Sequence, residues 1–255
     1  MMKKTLKNLV LNTFSWFSSG DSVVSLMYHS ISSNDWEFSI TPETFENQIK
    51  YLKEYGYTFL NLEDLEGLIS GDKKIKKGVL VTFDDGYKDF VTNAMPILNK
   101  YNASALIFIH TSRSSSQLKN DIALMDWQDI KSLSSNFELG SHSHSHSNLK
   151  KLSIFETEEE IQNSSRIIGE ITSRKPIAFA YPYGLFKQET IEALKENDYK
   201  FGFTTDRGVI KRGSDPFRIK RFGVGKSTSF VEFKARLTLA SDWYEGIVKS
   251  IKLKV

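Results

Sequence analysis

The sequence of 255 residues contains no cysteine. That excludes a disulfide framework and any thiolate-ligated metal site, and it says nothing about redox compartment. Long apolar runs are missing too. The N-terminal stretch MMKKTLKNLVLNTFSWFSSG has Leu9-Val10-Leu11 as its longest apolar run, bounded by Asn8 and Asn12, and no A-x-A cleavage site follows. No stretch is long enough to span a bilayer. Charge of one sign is also scarce. A net charge of +3 is too small to imply a nucleic-acid partner, and no basic cluster is interleaved with aromatic residues. The expectation is a protein of the cytoplasm or of a membrane periphery rather than a secreted one.

What is present suits one large domain, and this length fits an α/β barrel without division. Leu6, Val10, Phe14 and Phe17 fall on one helical face, with Lys3, Lys4 and Lys7 nearby. Residues 1–20 therefore read as an amphipathic segment, either packed on the barrel or lying at a membrane surface. Residues 241–255 read as a basic amphipathic tail with Trp243, Tyr244, Ile247, Val248 and Ile251 against Lys249, Lys252 and Lys254. The main domain is expected over 21–240, with oligomeric state open.

Short apolar runs alternate with helical patterns, as in a β/α protein. Strands are predicted at 23–28, 57–60, 79–83, 105–109, 137–140, 177–181, 201–204 and 219–224. Helices are predicted at 42–55, after Asn61, and over 88–101, 153–172, 187–197 and 230–239. The residues after these strands stand out: His29; then Asp84 and Asp85; then His142, His144 and His146; then Pro182, Tyr183 and Gly184. In a parallel barrel such strand ends gather on one face.

Two adjacent carboxylates after a buried strand repel each other and are costly to desolvate unless a cation or a proton-transfer task is present. His142 and His146 stand at i and i+4, on a helix or on a strand entering one. Two imidazoles and one carboxylate leave a fourth position open for water, an arrangement common in catalytic zinc sites. The second carboxylate is then free as a general base. Each motif alone reads equally as a polar loop or a turn; the pair, each after an apolar strand, points to metal chemistry. His144 and His110 are expected not to be ligands. Phe83, Trp127, Tyr183 and Trp36 are candidates for stacking on a sugar, or else for packing.

TFDDGY (Thr82–Tyr87), HSHSH (His142–His146) and YPYG (Tyr181–Gly184) resemble the first three motifs of the polysaccharide deacetylase family, the NodB-homology domain of carbohydrate esterase family 4. LMYHS (Leu26–Ser30) resembles the early motif of the branch containing poly-β-1,6-N-acetylglucosamine deacetylases. The similarity covers about Val23 to Val224. It implies a distorted (β/α) barrel of the NodB type and metal-dependent removal of acetyl groups from a carbohydrate substrate. Carried over by position, Asp84 is the base. Asp85, His142 and His146 hold the divalent metal, most often Zn2+, with Co2+ or Ni2+ as alternatives. The Tyr183 N–H faces the oxyanion. Pro182, Tyr183 and Trp127 are the candidate substrate-binding residues.

Two departures matter. Many members carry an arginine in the third motif to orient the base; this chain has Ala180-Tyr181-Pro182 there, so Arg221 is the candidate replacement. Many members also carry a late acid histidine, but no histidine follows His146. His29 is then the candidate acid. Rival readings are an O-acetyl esterase, a deacetylase of small lipid- or nucleotide-linked sugars, a hydrolase of non-sugar amides, and an inactive carbohydrate-binding protein.

Overall fold

Strands β1 (Ser22–Tyr28), β5 (Gly78–Phe83) and β6 (Ala105–Ile109) lie side by side and are paired in parallel. Their near-continuous apolar sequences follow from this placement, because a parallel strand is covered on both faces. Val79, Val81, Phe83, Ala105, Ile107 and Ile109 face an outer core. Leu80, Leu106 and Phe108 alternate with them and face an inner core with Ala178, Ala180, Phe201 and Phe203. These assignments come from a computed structural model, which describes residues 22–112, 122–133 and 135–238. The two terminal segments and most of the Ser112–Gln117 loop fall outside those residues.

The sheet continues through β7 (Phe137–Ser141), β8 (Ala178–Ala180) and β9 (Phe201–Phe203), all parallel. Short strand β4 (Thr58–Phe59) pairs with β5, and β10 (Ile210–Lys211) runs antiparallel to β1. The segment predicted as a strand over 219–224 keeps only a short β11 (Phe222–Gly223), which pairs with β1. Ile219, three residues earlier, bridges Phe203 of β9. This segment crosses from one end of the curled sheet to the other, and Arg221 sits in the crossing. The result is the distorted barrel expected from the sequence.

Seven α-helices are described: α1 (Pro42–Glu54), α2 (Leu62–Ser70), α3 (Met95–Lys100), α4 (Trp127–Lys131), α5 (Ile154–Thr172), α6 (Gln188–Glu196) and α7 (Phe230–Arg236). Their starts follow their caps. The Thr41 hydroxyl accepts from Thr44 N–H, and Asn61 and Ser153 form capping boxes with Asp64 and Glu156. The helix predicted over 88–101 divides. Phe90–Ala94 forms a π-turn before α3. Pro96 has no N–H for the carbonyl four residues back, and Met95 N–H reaches Phe90 O instead. Helix α4 was not predicted, nor was the two-stranded ribbon of β2 (Ser30–Ile31) and β3 (Ser39–Ile40). No helix among the described residues is long and apolar enough to cross a membrane.

Candidate metal centre and its surroundings

The inward-facing positions of β5 are Leu80 and Thr82, and the same alternation carries Asp84 inward just past the strand end. The ladder extends one bond further, with Asp84 N–H donating to Tyr28 O at 2.9 Å. Asp85 would then face outward. Instead it adopts φ 72°, a left-handed conformation that non-glycine residues rarely take. Gly86 follows at φ 76°. The double turn brings the second carboxylate back toward the same centre.

His142 follows β7, and His146 follows four residues later. The segment between them is neither helix nor strand, which corrects the expectation from the i,i+4 spacing. It is a loop with Ser143 at φ 66° and His146 at φ 60°. The Ser143 hydroxyl accepts from His146 N–H at 2.9 Å. Glu160 of α5 accepts from both the N–H and the hydroxyl of Ser145. These bonds replace helical periodicity as the reason the two imidazoles converge.

Asp85, His142 and His146 each offer one donor atom, and the three atoms lie within 4.8 Å of one another. Asp85 Oδ1 is 3.5 Å from His142 Nε2 and 3.3 Å from His146 Nε2. His142 Nδ1 must carry the proton it donates to Ala180 O at 2.7 Å, because a carbonyl only accepts. That leaves Nε2 bare toward Asp85. Burial pushes both histidines below the usual imidazole range, His142 furthest, so both are neutral ligand forms. Burial also pushes Asp85 up to about 6 when no cation is beside it. Its buried Oδ1 has no hydrogen-bond partner. A buried carboxylate oxygen without a donor, facing the bare Nε2 of His142 and the Nε2 of His146, fits a divalent cation.

Asp84 is held from the other side by Arg221, which is fully buried. Nη1 and Nη2 meet the two carboxylate oxygens at 2.6 and 2.8 Å, while Nε donates to Thr204 O and Nη1 also reaches Thr82 Oγ1. The guanidinium lies over Phe108 and Phe203, 5.4 and 5.9 Å from the ring centres. Burial, the largest single influence, would raise the Asp84 pKa; the charge and hydrogen bonds of Arg221, together with the nearby histidines, outweigh it and hold Asp84 at about 2. Ala180, at the position where the resemblance led to an expectation of arginine, is buried in the inner core and uses its carbonyl to orient His142.

His29 follows β1 beside Asp84, since Tyr28 and Phe83 are register partners. Its ring contacts Trp36 and Phe38, and its Nδ1 is buried without a hydrogen-bond partner. Tyr183, at φ 60° after buried Pro182, sets its ring 4.7 Å from that of His146. His144 stays out of the cluster and hydrogen-bonds Thr111 at 2.9 Å. His110 is buried with its ring 5.9 Å from that of His146. Trp127 opens α4 and packs on the outer core. Phe83 is 1% exposed within that core, so it is not a stacking surface. Glu160, Thr82 and Thr204 carry contacts that the sequence did not reveal. No local pattern marks them, because each acts on a residue distant in the chain.

Comparison with known proteins finds relatives in both sequence and fold. The sequence model of the family described as "Polysaccharide deacetylase" matches residues 71–202. The poly-beta-1,6-N-acetyl-D-glucosamine N-deacetylase of Staphylococcus epidermidis is 28% identical over 219 residues, covering 81% of this chain and 72% of that protein. The Streptococcus pyogenes deacetylase PplD, solved in complex with acetate, superposes with a TM-score of 0.75 at 25% identity, covering 86% of this chain and 99% of that one. IcaB from Ammonifex degensii gives 0.76 at 25% identity over 86% and 98%. The matched span contains the Asp84-Asp85 pair, both clustered histidines and the Tyr183 turn, and on that evidence the chain belongs to the polysaccharide deacetylase family.

Proposed function

We propose that the protein is a metal-dependent hydrolase that removes N-acetyl groups from an N-acetylglucosamine-type glycan. The observation that carries this reading is the buried Asp85–His142–His146 cluster beside a second carboxylate, Asp84, that is not part of it. Two nitrogens and one oxygen suit zinc, with cobalt or nickel as alternatives. Bound there, the ion would supply Lewis acidity to a water molecule and to the acyl oxygen.

The chain's own residues supply the rest. Asp84 accepts the proton of the attacking water, and Arg221 fixes the angle at which it does so. A carboxylate held near 2 is a weak base, but it is ionised throughout the working pH range and needs no prior deprotonation. The Tyr183 N–H points its dipole at the oxygen that becomes negative. His29 donates a proton to the departing nitrogen, since an amine anion is a very poor leaving group. Poly-β-1,6-N-acetylglucosamine is the substrate class named for the staphylococcal relative, and it is the class proposed here.

The test is elemental analysis of bound metal on wild type and Asp85→Ala, with acetate release from an N-acetylglucosamine oligomer. Metal near one equivalent, lost in the variant together with activity, is the expected result. Bound metal without acetate release would move the assignment to esters or other amides. No metal under metal-replete conditions would overturn the hydrolase reading.

A further inference from the structure

Two exposed aromatic rings contact histidines beside the buried carboxylates. Tyr183, 54% exposed, contacts His146. Phe38, 41% exposed, contacts His29 at 5.0 Å between ring centres. Trp36, partly exposed, closes the second group. Its ring lies 5.8 Å from His29, 5.2 Å from Phe38 and 5.4 Å from Tyr87, two residues beyond Asp85. Large apolar side chains left in water beside a buried polar centre mark a ligand-binding wall.

The loop that carries Trp36 and Phe38 is held in place. The parallel β2–β3 pairing closes its base, with Ser30 opposite Ser39 and Ile31 opposite Ile40. Within it, Ser39 N–H donates to Trp36 O at 3.1 Å, and Trp36 N–H donates to the Asn34 side chain at 3.1 Å. From outside, Lys226 N–H donates to Glu37 O at 3.0 Å, and the Lys226 ammonium pairs with Asp35. Gly225 packs so closely that a Cβ there would lie 2.4 Å from Glu37 O. A loop braced on both sides loses little freedom when a ligand arrives.

We infer that Trp36 and Phe38 form the face on which the substrate's pyranose ring stacks, specifically the ring bearing the leaving nitrogen. The inference rests on the reading of His29 as the group that protonates that nitrogen. The acid must reach the nitrogen, and the sugar carbon bonded to it then lies beside the imidazole. The only large apolar rings touching that imidazole among the described contacts are Trp36 and Phe38. A pyranose presents an apolar C–H face, and burying it on an indole removes apolar area from water.

The test uses the zinc-loaded full chain and a fully deacetylated β-linked glucosamine trimer, which cannot turn over. Binding is measured by calorimetry for wild type, Trp36→Phe and Trp36→Leu, with bound metal and Tm measured in parallel. The expected result is about tenfold weaker binding for Trp36→Leu and about twofold to threefold for Trp36→Phe, with metal content unchanged. Phe38→Leu, at a more exposed position, is expected to weaken binding by severalfold and serves if the Trp36 variants misfold. Equal binding by wild type and both leucine variants would overturn the subsite, as would equal losses in Trp36→Phe and Trp36→Leu. A wild type that does not bind the trimer at millimolar concentration would overturn it too. Trp36-dependent binding together with no acetate release from the acetylated oligomer would leave sugar stacking on Trp36 standing and remove the N-deacetylase reading instead.

Discussion

Glu160 takes both hydrogen bonds that Ser145 can donate, from its N–H at 2.8 Å and from its hydroxyl at 2.5 Å. Ser145 lies between the two clustered histidines, so a carboxylate on α5 fixes the loop that sets their separation. Outer contacts of this type commonly alter metal affinity by about 10–100-fold. Glu160→Ala is expected to weaken zinc binding within that range, measured by competition with a chromophoric chelator. Glu160→Gln keeps one acceptor oxygen and should fall between the two. Equal affinity in all three proteins would show that the loop holds its shape without Glu160.

Asp84→Asn is expected to retain bound metal and lose turnover, since Asp84 lies outside the ligand set. It also removes the charge that neutralises a fully buried guanidinium. Breaking one side of a buried pair costs about 3–5 kcal/mol, so the variant should also show a clearly lower Tm. Loss of metal together with activity would refute the division of roles between the two aspartates.

Chelation gives a second handle on the centre. A ligand bound only to the folded state stabilises it by about 4 kcal/mol at a thousandfold excess over its Kd. Stripping the metal should therefore lower the Tm, and zinc should restore it. Asp85→Ala should show no such response. A chelator-sensitive Tm in Asp85→Ala would place the stabilising ion elsewhere.

Gly140 is required by its neighbour rather than by a turn. A Cβ at this position would lie 2.5 Å from the Phe108 ring, and Phe108 lies under the Arg221 guanidinium. Gly140→Ala is expected to destabilise the fold by about 1–3 kcal/mol. It should also lower kcat more than metal content, by tilting Arg221 against Asp84. Unchanged kcat at wild-type metal occupancy would separate the inner aromatic packing from the base.

Glu138 offers a pH test away from the centre. Burial raises its pKa, although the Leu62 N–H that it accepts works in the opposite direction. The folded state then binds this proton more tightly than the unfolded state. Wild-type stability at this site therefore falls as pH rises from the ordinary glutamate value through the raised one. Glu138→Gln keeps an acceptor and cannot ionise. Its Tm relative to wild type should be higher at pH 8 than at pH 4. An identical difference at both values would remove Glu138 from the pH response.

The strands were legible because each is covered on both faces, which writes a continuous apolar run such as Val79–Phe83 into the sequence. The cluster was legible because its members immediately follow such runs. What escaped notice lacks a local signature. Helix α4 has only five residues, too few for a helical period to emerge, and strands β2 and β3 have two each. The conformation of the 142–146 loop depends on Glu160, which no spacing rule links to Ser145. Arg221 was a candidate only because the usual arginine position held Ala180. Its grip on Asp84 is a property of the closed sheet.

That grip spans 137 residues of chain. A ribosome makes strands β1 to β8, all paired in parallel, before it reaches Arg221, so the apolar strands around Asp84 are synthesised before the cation that meets it. Until residue 221 emerges, the interior favours the protonated acid over the carboxylate. The charge on Asp84 is therefore expected late in synthesis, and a chain stopped between β8 and β11 would lack the cation that holds this carboxylate ionised. Completion of the chain and ionisation of Asp84 are coupled here by a single side chain.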